Sequence, residues 1–305
     1  MALFLDILTK VTLPIIVLVA MGWILQPRLK LDVGTLNRIQ VYVVMPAFFV
    51  HFLTSGKQPI SVVWPVFYFG LAQFLMLIPI GWLVTLLFRM RAGLGPVMGL
   101  AAAYANVGFF GVPVTLLAFG GDYLIYQSVL AALMAILTCT VGVWMLAPTS
   151  DDVLGKLKTV FQTPLIPSIV IGLALRGFEI ELPALVAQPM QLLGSIFTPL
   201  ALYTLGAQVY STKTGTIEWG PQLLVLFLKF ILAPALSWWI CITMGLPRDI
   251  TNVIVVAAAT PVGVLITIFA AEYQTEYDFI SMSVVLSTIL SPVFVTGWIL
   301  AVRLI

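Results

Sequence analysis

The chain has 305 residues, of which 61% are hydrophobic and only 9% are charged, and its formal net charge at pH 7 is +2. Because a soluble protein carries about 25% charged residues, this composition predicts an integral membrane protein, and the small net charge gives no reason to expect nucleic acid as a partner. The two cysteines lie inside apolar runs, which predicts neither a disulfide framework nor a metal site.

Apolar runs that approach or exceed the length of a transmembrane helix follow one another along the chain. Such a helix needs roughly 20 mainly apolar residues. The runs lie near 5–25, 33–53, 61–88, 96–119, 123–147, 164–178, 186–208, 220–244, 250–271 and 279–302. The sequence therefore predicts an all-α polytopic membrane protein with ten transmembrane helices. The longest connection is a central loop at 148–163.

The basic residues of the predicted connections are distributed unequally between the two sides of the bilayer. One side holds seven lysines and arginines, and the other side holds four. Cytoplasmic loops carry an excess of these residues, so the richer side is predicted to be cytoplasmic. The prediction is a multi-pass protein of the cell inner (plasma) membrane with a cytoplasmic central loop and both termini non-cytoplasmic.

The two halves of the chain match each other at offsets of 153 and 155 residues. The matches include uncommon residue types, as in Pro46–Pro199, Trp64–Trp219 and Gly142–Gly297. The alternative is that apolar sequences match by chance, but tryptophan and proline are too rare for repeated chance matches of these residues to be favoured. The alignment predicts five-helix repeats at 1–147 and 164–305, the second inverted because five is odd. The change of offset separates spans 1, 2, 6 and 7 from spans 3–5 and 8–10.

The fourth and ninth predicted spans are interrupted near their centres. The fourth contains "ANVGFFGVP" and the ninth "AATPVGVLI", with Asn106 aligned to Pro261 and Gly108 to Gly263. Thr260 followed by Pro261 is typical of a helix N-cap and first helical position. Non-helical backbone at this depth is buried or lines a cavity, and two helix N-termini meeting there would bind an anion. The alternative is two proline kinks, with Asn106 in a helix–helix hydrogen bond.

Two polar residues lie deep in other spans. Lys229 is about ten residues into the eighth span, hence roughly 15 Å deep, and charges at such depth are functional candidates. It could attract a carboxylate, substitute for a coupling cation or exchange a proton. Its structural alternative is a lock on the carbonyls freed by Pro234. Gln73 lies beside Phe74, the position that matches Lys229, and either faces the same cavity or makes a helix contact.

Motifs in three spans resemble those of the auxin efflux carrier family, which includes the plant PIN-FORMED carriers and bacterial malonate and malate carriers. The second span has the pattern Asn-Arg, seven residues, Pro, four residues, His-Phe, and the fourth has Asn…Gly-x-Pro. The ninth has a proline break followed by Phe-Ala-x-Glu-Tyr. The long hydrophilic loop of the large plant members is absent, which favours a short microbial carrier.

The resemblance implies a dimerising scaffold of spans 1, 2, 6 and 7 and a mobile transport domain of spans 3–5 and 8–10. It implies that substrate binds where spans 4 and 9 cross, and that a glutamine of the fifth span lines the site. The expected substrate-binding residues are Asn106, Gly108, Gln127, Thr260, Pro261, Gly263 and Phe49. The expected charge-carrying or coupling residues are Lys229 and Gln73. No metal or other cofactor is expected, and coupling to H⁺ or Na⁺ is left open.

The sequence predicts a secondary active transporter of a small organic anion, a mono- or dicarboxylate such as malonate, that works by elevator-type alternating access. The alternative is a membrane solute sensor that keeps the carrier fold without net transport. An enzyme is not expected, because the chain has one histidine and no acid pair in mid-span. The expected partners are the anion, the lipid bilayer and a second copy of the chain, which forms a homodimer through the scaffold.

Overall fold

The computed structural model describes residues 2–146, 164–212 and 217–304, which form helices joined by short connections. The predicted central loop at 148–163, with the last residue of the predicted first repeat, lies outside the described residues. In chain order the helices are α1 (Leu3–Leu29), α2 (Val33–Ser55), α3 (Ile60–Leu87), α4 (Leu94–Ala103), α5 (Val107–Ala118), α6 (Gly121–Leu146), α7 (Leu165–Gly177), α8 (Ala184–Ser211), α9 (Trp219–Thr243), α10 (Arg248–Ala258), α11 (Leu265–Glu272) and α12 (Tyr277–Leu304).

Seven of these helices are long and apolar enough to cross a membrane, namely α1, α2, α3, α6, α8, α9 and α12. The chain is therefore an all-helical, multi-pass membrane protein in its described parts. Helices α4 and α5 together occupy the predicted fourth span, and α10 and α11 occupy the ninth. Helix α7 is shorter than the seven. The count of ten spans and their inverted repeat stay predictions.

Four of the helices contain a wide π-helical turn that ends two residues before a proline. A proline in a helix removes one backbone donor, and its ring clashes with the carbonyl four residues earlier. A wider turn lets the helix continue past that clash. These turns are Leu8–Thr12 before Pro14, Gln40–Val44 before Pro46, Val107–Gly111 before Pro113 and Leu228–Leu232 before Pro234.

Glycines allow the backbones of two pairs of helices to approach each other closely. Helix α1 packs along α8, and a Cβ added at Gly22 or Gly206 would overlap backbone of the opposite helix. Helix α3 packs along α4, where a Cβ at Gly99 would lie 2.8 Å from Ile78 O. Small residues permit such approach where lipid gives no hydrophobic drive for association. In addition, α2 packs on α7 and α8, and α10 packs on α9.

The loops between the helices contact one another in two groups, and each group belongs to one predicted side of the membrane. Arg91, after α3, forms ion pairs of 2.6 Å with Glu218 before α9 and with Glu276 before α12. Those connections belong to one predicted side. Lys57 N, after α2, donates to Asp122 Oδ1 at the start of α6, on the other predicted side. The side that faces the cytoplasm stays a prediction.

Candidate functional site

The fourth and ninth predicted spans are broken, and the breaks pair with each other. Residues 104–106 separate α4 from α5, and residues 259–264 separate α10 from α11. The Asn106 N–H donates to Pro261 O at 2.8 Å, and the Gly263 N–H donates to Tyr104 O at 3.0 Å. The pairing is antiparallel, with Ala105 opposite Val262. The prediction that both spans are interrupted and meet near Asn106 and Pro261 is confirmed.

The predicted N-cap role of Thr260 is wrong. Its hydroxyl donates backwards to Ala257 O at 2.7 Å, and α11 begins only at Leu265, with Val264 in the capping position. The reason is the pairing between the breaks, because Pro261 O accepts from the Asn106 N–H and the Gly263 N–H donates to Tyr104 O. A helix cannot start at a proline whose carbonyl and following residues are already paired across to another segment. Thr260 is fully buried.

The side chain of Asn106 has an unused donor in the centre of the protein. The residue is 5% exposed, and its Nδ2 has no hydrogen-bond partner among the described residues. Its backbone carbonyl accepts from Gly111 N at 2.9 Å, so only the side chain is left unpaired. A buried polar group without a partner destabilises a protein by about 1–3 kcal/mol. Such a group is therefore a candidate ligand for an acceptor that enters the site.

Gln127 of α6 braces the first turn of α5. Its Nε2 donates to Val107 O at 2.6 Å, and its Oε1 accepts from Thr115 Oγ1 at 3.2 Å. A Cβ at Gly111 would overlap the Gln127 amide, so glycine there makes room for the brace. Both ends of this fully buried amide have partners inside the protein. Its expected contact with substrate stays a prediction.

Ser287 of α12 braces the second break. Its Oγ accepts from Val262 N at 3.0 Å and donates to Val284 O at 3.1 Å. The Ser287 hydroxyl is therefore the hydrogen-bond acceptor for the Val262 N–H, which lies outside any helix. Ser287 is not among the site residues predicted from the sequence, because a serine in an apolar span is common and usually bonds to its own helix. Only the position of α12 beside the second break distinguishes it.

Tyr104 was also missed, although it pairs directly with a predicted site residue. Its ring lies on the backbone of Gly263, where any Cβ would overlap the ring. Glycine is therefore needed at 263 for close approach. The predicted site residue Gly108 has a different role, because a Cβ there would only touch Met45 Cε at 3.9 Å. No signal in the sequence links Tyr104 to Gly263, since tyrosines are frequent in membrane spans.

Gln73 lies beside the first break, and Phe49 belongs to a different hydrophobic cluster from Ala105. Gln73 Nε2 donates to Ser237 Oγ of α9 at 2.7 Å. It also lines a cavity of about 10 Å³ together with Ala105 and Val107, roughly the space for one water molecule. Phe49 is fully buried in a cluster around α2, α6 and α8, separate from the cluster that contains Ala105. Its expected contact with substrate stays a prediction.

Lys229 lies in the π-helical turn of α9 and is 1% exposed. Among the described residues no hydrogen bond or ion pair to its ammonium is found. The carbonyl that Pro234 deprives of its donor is that of Phe230, and it accepts from Trp298 Nε1 at 2.7 Å. Trp298 therefore performs the locking role that was the structural alternative for Lys229. The amino group is therefore buried without a described partner, and its charged form is costly unless an anion offsets the charge.

Several long apolar helices, with two shorter pairs that break and join at the centre, define a polytopic membrane protein with a buried polar junction. The chain belongs to the family described as membrane transport protein, whose model matches residues 7–299. This family is one of transporters and not of enzymes, and it includes the auxin efflux carriers. The resemblance drawn from the motifs of three spans is confirmed.

Individual relatives agree with this membership. The chain is 25% identical over 311 residues to an uncharacterized transporter of Methanothermobacter thermautotrophicus, which covers 95% of this chain and 97% of the relative. It is 26% identical over 288 residues to an uncharacterized transporter of Methanocaldococcus jannaschii, 87% of this chain and 89% of the relative. It is 26% identical over 135 residues to the probable auxin efflux carrier component 1b of Oryza sativa subsp. japonica, 43% of this chain and 24% of the relative.

Proposed function

We propose that the protein is a secondary active transporter of a small organic anion, a mono- or dicarboxylate such as malonate, that binds at the paired breaks. The observation that carries this proposal is the buried Asn106 Nδ2, which has no described partner at the point where the two broken helices meet. A carboxylate oxygen accepting from this amide would remove the penalty of an unmade hydrogen bond.

The surroundings of Asn106 favour an anion over a cation. The first N–H groups of a helix have no partner within it and carry partial positive charge. Helix α5 begins at Val107 and α11 at Leu265, so both start next to the junction. Lys229 on α9 is a buried amine that would carry a positive charge when protonated, and its neighbour Leu228 belongs to the same hydrophobic cluster as Ala105 and Val107 of the first break. No metal or other cofactor is needed for this recognition, and either H⁺ or Na⁺ could couple it to a gradient.

The register of the pairing supports two inverted repeats of five spans, at 1–147 and 164–305. Asn106 and Pro261, which are bonded across the junction, match each other at the offset of 155 found in the sequence. Val107 and Val262 match at the same offset, and each is braced by the long helix that follows its break. A two-fold axis in the membrane plane, as in inverted-repeat transporters, would relate the two breaks in this way.

The helix packing supports a scaffold and a transport domain. Helices α1, α2, α7 and α8 have extensive contacts with one another, and so do α3, α4, α6, α9 and α10. We infer that the first group, spans 1, 2, 6 and 7, forms a homodimeric scaffold in the cell inner (plasma) membrane, with both termini non-cytoplasmic. The second group belongs to spans 3–5 and 8–10, which would move across the scaffold as a transport domain with the bound anion, as an elevator.

Binding and flux measurements on the purified protein test this proposal. We expect wild type to bind malonate and Asn106→Ala to bind it about 10- to 100-fold more weakly, because hydrogen bonds to charged groups contribute about 1.5–3 kcal/mol. Asn252→Ala, on α10 outside the breaks, is the matched control and should bind as wild type does. Equal binding by both variants, or no binding of carboxylates by wild type, would overturn the proposal. Binding without uptake into proteoliposomes would support the sensor instead.

A further inference from the structure

We propose that Tyr104 determines specificity at this site, by donating its hydroxyl to a second polar group of the acid whose carboxylate is held by Asn106. This inference rests on the proposed function and narrows its substrate class to acids that carry a second acceptor. Three features of the site support it: the direction of the two side chains, the fixed position of the Tyr104 ring and the unpaired Tyr104 hydroxyl.

The extended backbone of the first break places Tyr104 and Asn106 on one face. Tyr104 has extended dihedrals (φ −88°, ψ 103°), and its carbonyl and the Asn106 N–H both bond to the second break. Successive side chains of a strand point to opposite faces, so residues two apart share a face. Ala105, between them, lines the small cavity beside Gln73 instead. Two hydrogen-bonding side chains therefore emerge together at the junction.

The ring of Tyr104 is held against the second break. It occupies the space that a side chain at position 263 would take, because a Cβ there would overlap ring atoms Cδ1 and Cε1. Gly263 also donates its N–H to Tyr104 O, so backbone and ring are fixed by the same residue. A donor whose ring is held in this way loses little conformational freedom when it binds a ligand.

The hydroxyl of Tyr104 is free to take such a ligand. Tyr104 is partly exposed, and its hydroxyl has no hydrogen-bond partner in the described part of the chain. Tyr126, one helix away, shows the usual arrangement, with its hydroxyl donating to Gln58 Oε1 at 3.0 Å. Phenolic hydroxyls in protein interiors usually find a partner. Tyr104 and Asn106 Nδ2 are thus two neutral donors on one face, which suits a short dicarboxylate better than a monocarboxylate of the same length.

The ratio of affinities for malonate and propionate tests this inference, because propionate has a methyl group where malonate has its second carboxylate. We expect wild type to prefer malonate, and Tyr104→Phe to reduce that preference about 10-fold or more, because one hydrogen bond to a charged group is lost. Tyr68→Phe, whose hydroxyl is on an exposed residue of α3, is the control and should keep the wild-type ratio. Gly263→Ala, which displaces the ring, should reduce the ratio as Tyr104→Phe does.

The outcomes separate the two proposals. Failure of wild type to bind either acid contradicts the proposed function, and the inference falls with it. If wild type binds malonate and Asn106→Ala loses it, while Tyr104→Phe and Gly263→Ala keep the malonate-to-propionate ratio, the proposed function stands and the role of Tyr104 is disproved. Equal affinity of wild type for the two acids also disproves it.

Discussion

The two breaks at the centre of the protein pair with each other but use their polar groups differently. At the second break the Thr260 hydroxyl and the Val262 N–H both have partners inside the protein. At the first break the backbone is paired, yet the Asn106 amide is not. Two segments that pair with each other can therefore share a backbone arrangement while only one of them has a buried side-chain donor without a described partner. The second break supplies the surface against which the first is held.

The largest loss of stability is expected when the hydrogen bonds of Gln127 to the first break are removed. Gln127→Leu leaves Val107 O and Thr115 Oγ1 without their partner in a buried position. We expect the free energy of unfolding to fall by about 2–4 kcal/mol, since each orphaned group costs about 1–3 kcal/mol. Unfolding in detergent measures it. Gln191→Leu, at an exposed glutamine of α8, should change little, and equal losses in the two variants would contradict the bracing role.

Removing the brace of the second break should have a smaller effect. Ser287→Ala deprives only the Val262 N–H of its acceptor, and we expect a loss of about 1–2 kcal/mol. Ser291 provides a matched control on the same helix, because it is equally buried but its hydroxyl bonds only to Thr288 O of its own helix. A stability of Ser287→Ala no lower than that of Ser291→Ala would show that the second break needs no brace.

Replacing the unpaired amide should separate stability from binding. Asn106→Leu removes a buried donor that has no described partner and keeps a similar volume. We expect the unliganded protein to become more stable by about 1 kcal/mol while malonate binding is lost. Thermal denaturation with and without malonate measures both effects. A clear loss of stability in the absence of ligand would mean that Asn106 has a structural role, as in the alternative helix–helix hydrogen bond.

The smallest effect is expected at the ion-pair cluster far from both breaks. Arg91 donates two hydrogen bonds to Glu218 and thereby holds the pKa of Glu218 below its ordinary value. A lowered carboxyl pKa stabilises the fold above the ordinary value near 4.3 and loses this contribution as pH falls through the lowered pKa. Because these side chains are 46% and 39% exposed, the contribution should be below about 1 kcal/mol.

Comparison of wild type with Glu218→Gln from neutral to acidic pH measures this contribution. The difference in melting temperature between the two proteins should be present at neutral pH and vanish in acid. Malonate affinity should be the same in both proteins, because Glu218 is not part of the junction. A difference that persists in acid would show that the glutamine substitution acts through packing instead of charge.

Features that depend on local composition could be predicted from the sequence. Apolar runs predict membrane helices because the bilayer sets their length. Proline with glycine in such a run marks a candidate break because both residues weaken a helix, although the helices that contain Pro14, Pro46 and Pro234 continue through a wider turn. The selection of Asn106 followed from its place inside such a run. The prediction that Thr260 caps a helix was wrong, although Thr-Pro is a typical start of a helix. The first break, more than 150 residues earlier in the chain, forms hydrogen bonds with the same stretch of backbone.

Features that depend on which segments lie side by side were decided only by the tertiary structure. Tyr104 against Gly263, Ser287 against Val262 and Trp298 against Phe230 O each join residues from different helices. Their residue types are ordinary for membrane spans and carry no signal of their own. A hydrogen bond depends on the distance between two particular atoms, and the sequence by itself determines the types of those atoms but not their separation. Lys229 could therefore be singled out from the sequence, but the identity of the donor that locks the turn beside it could not.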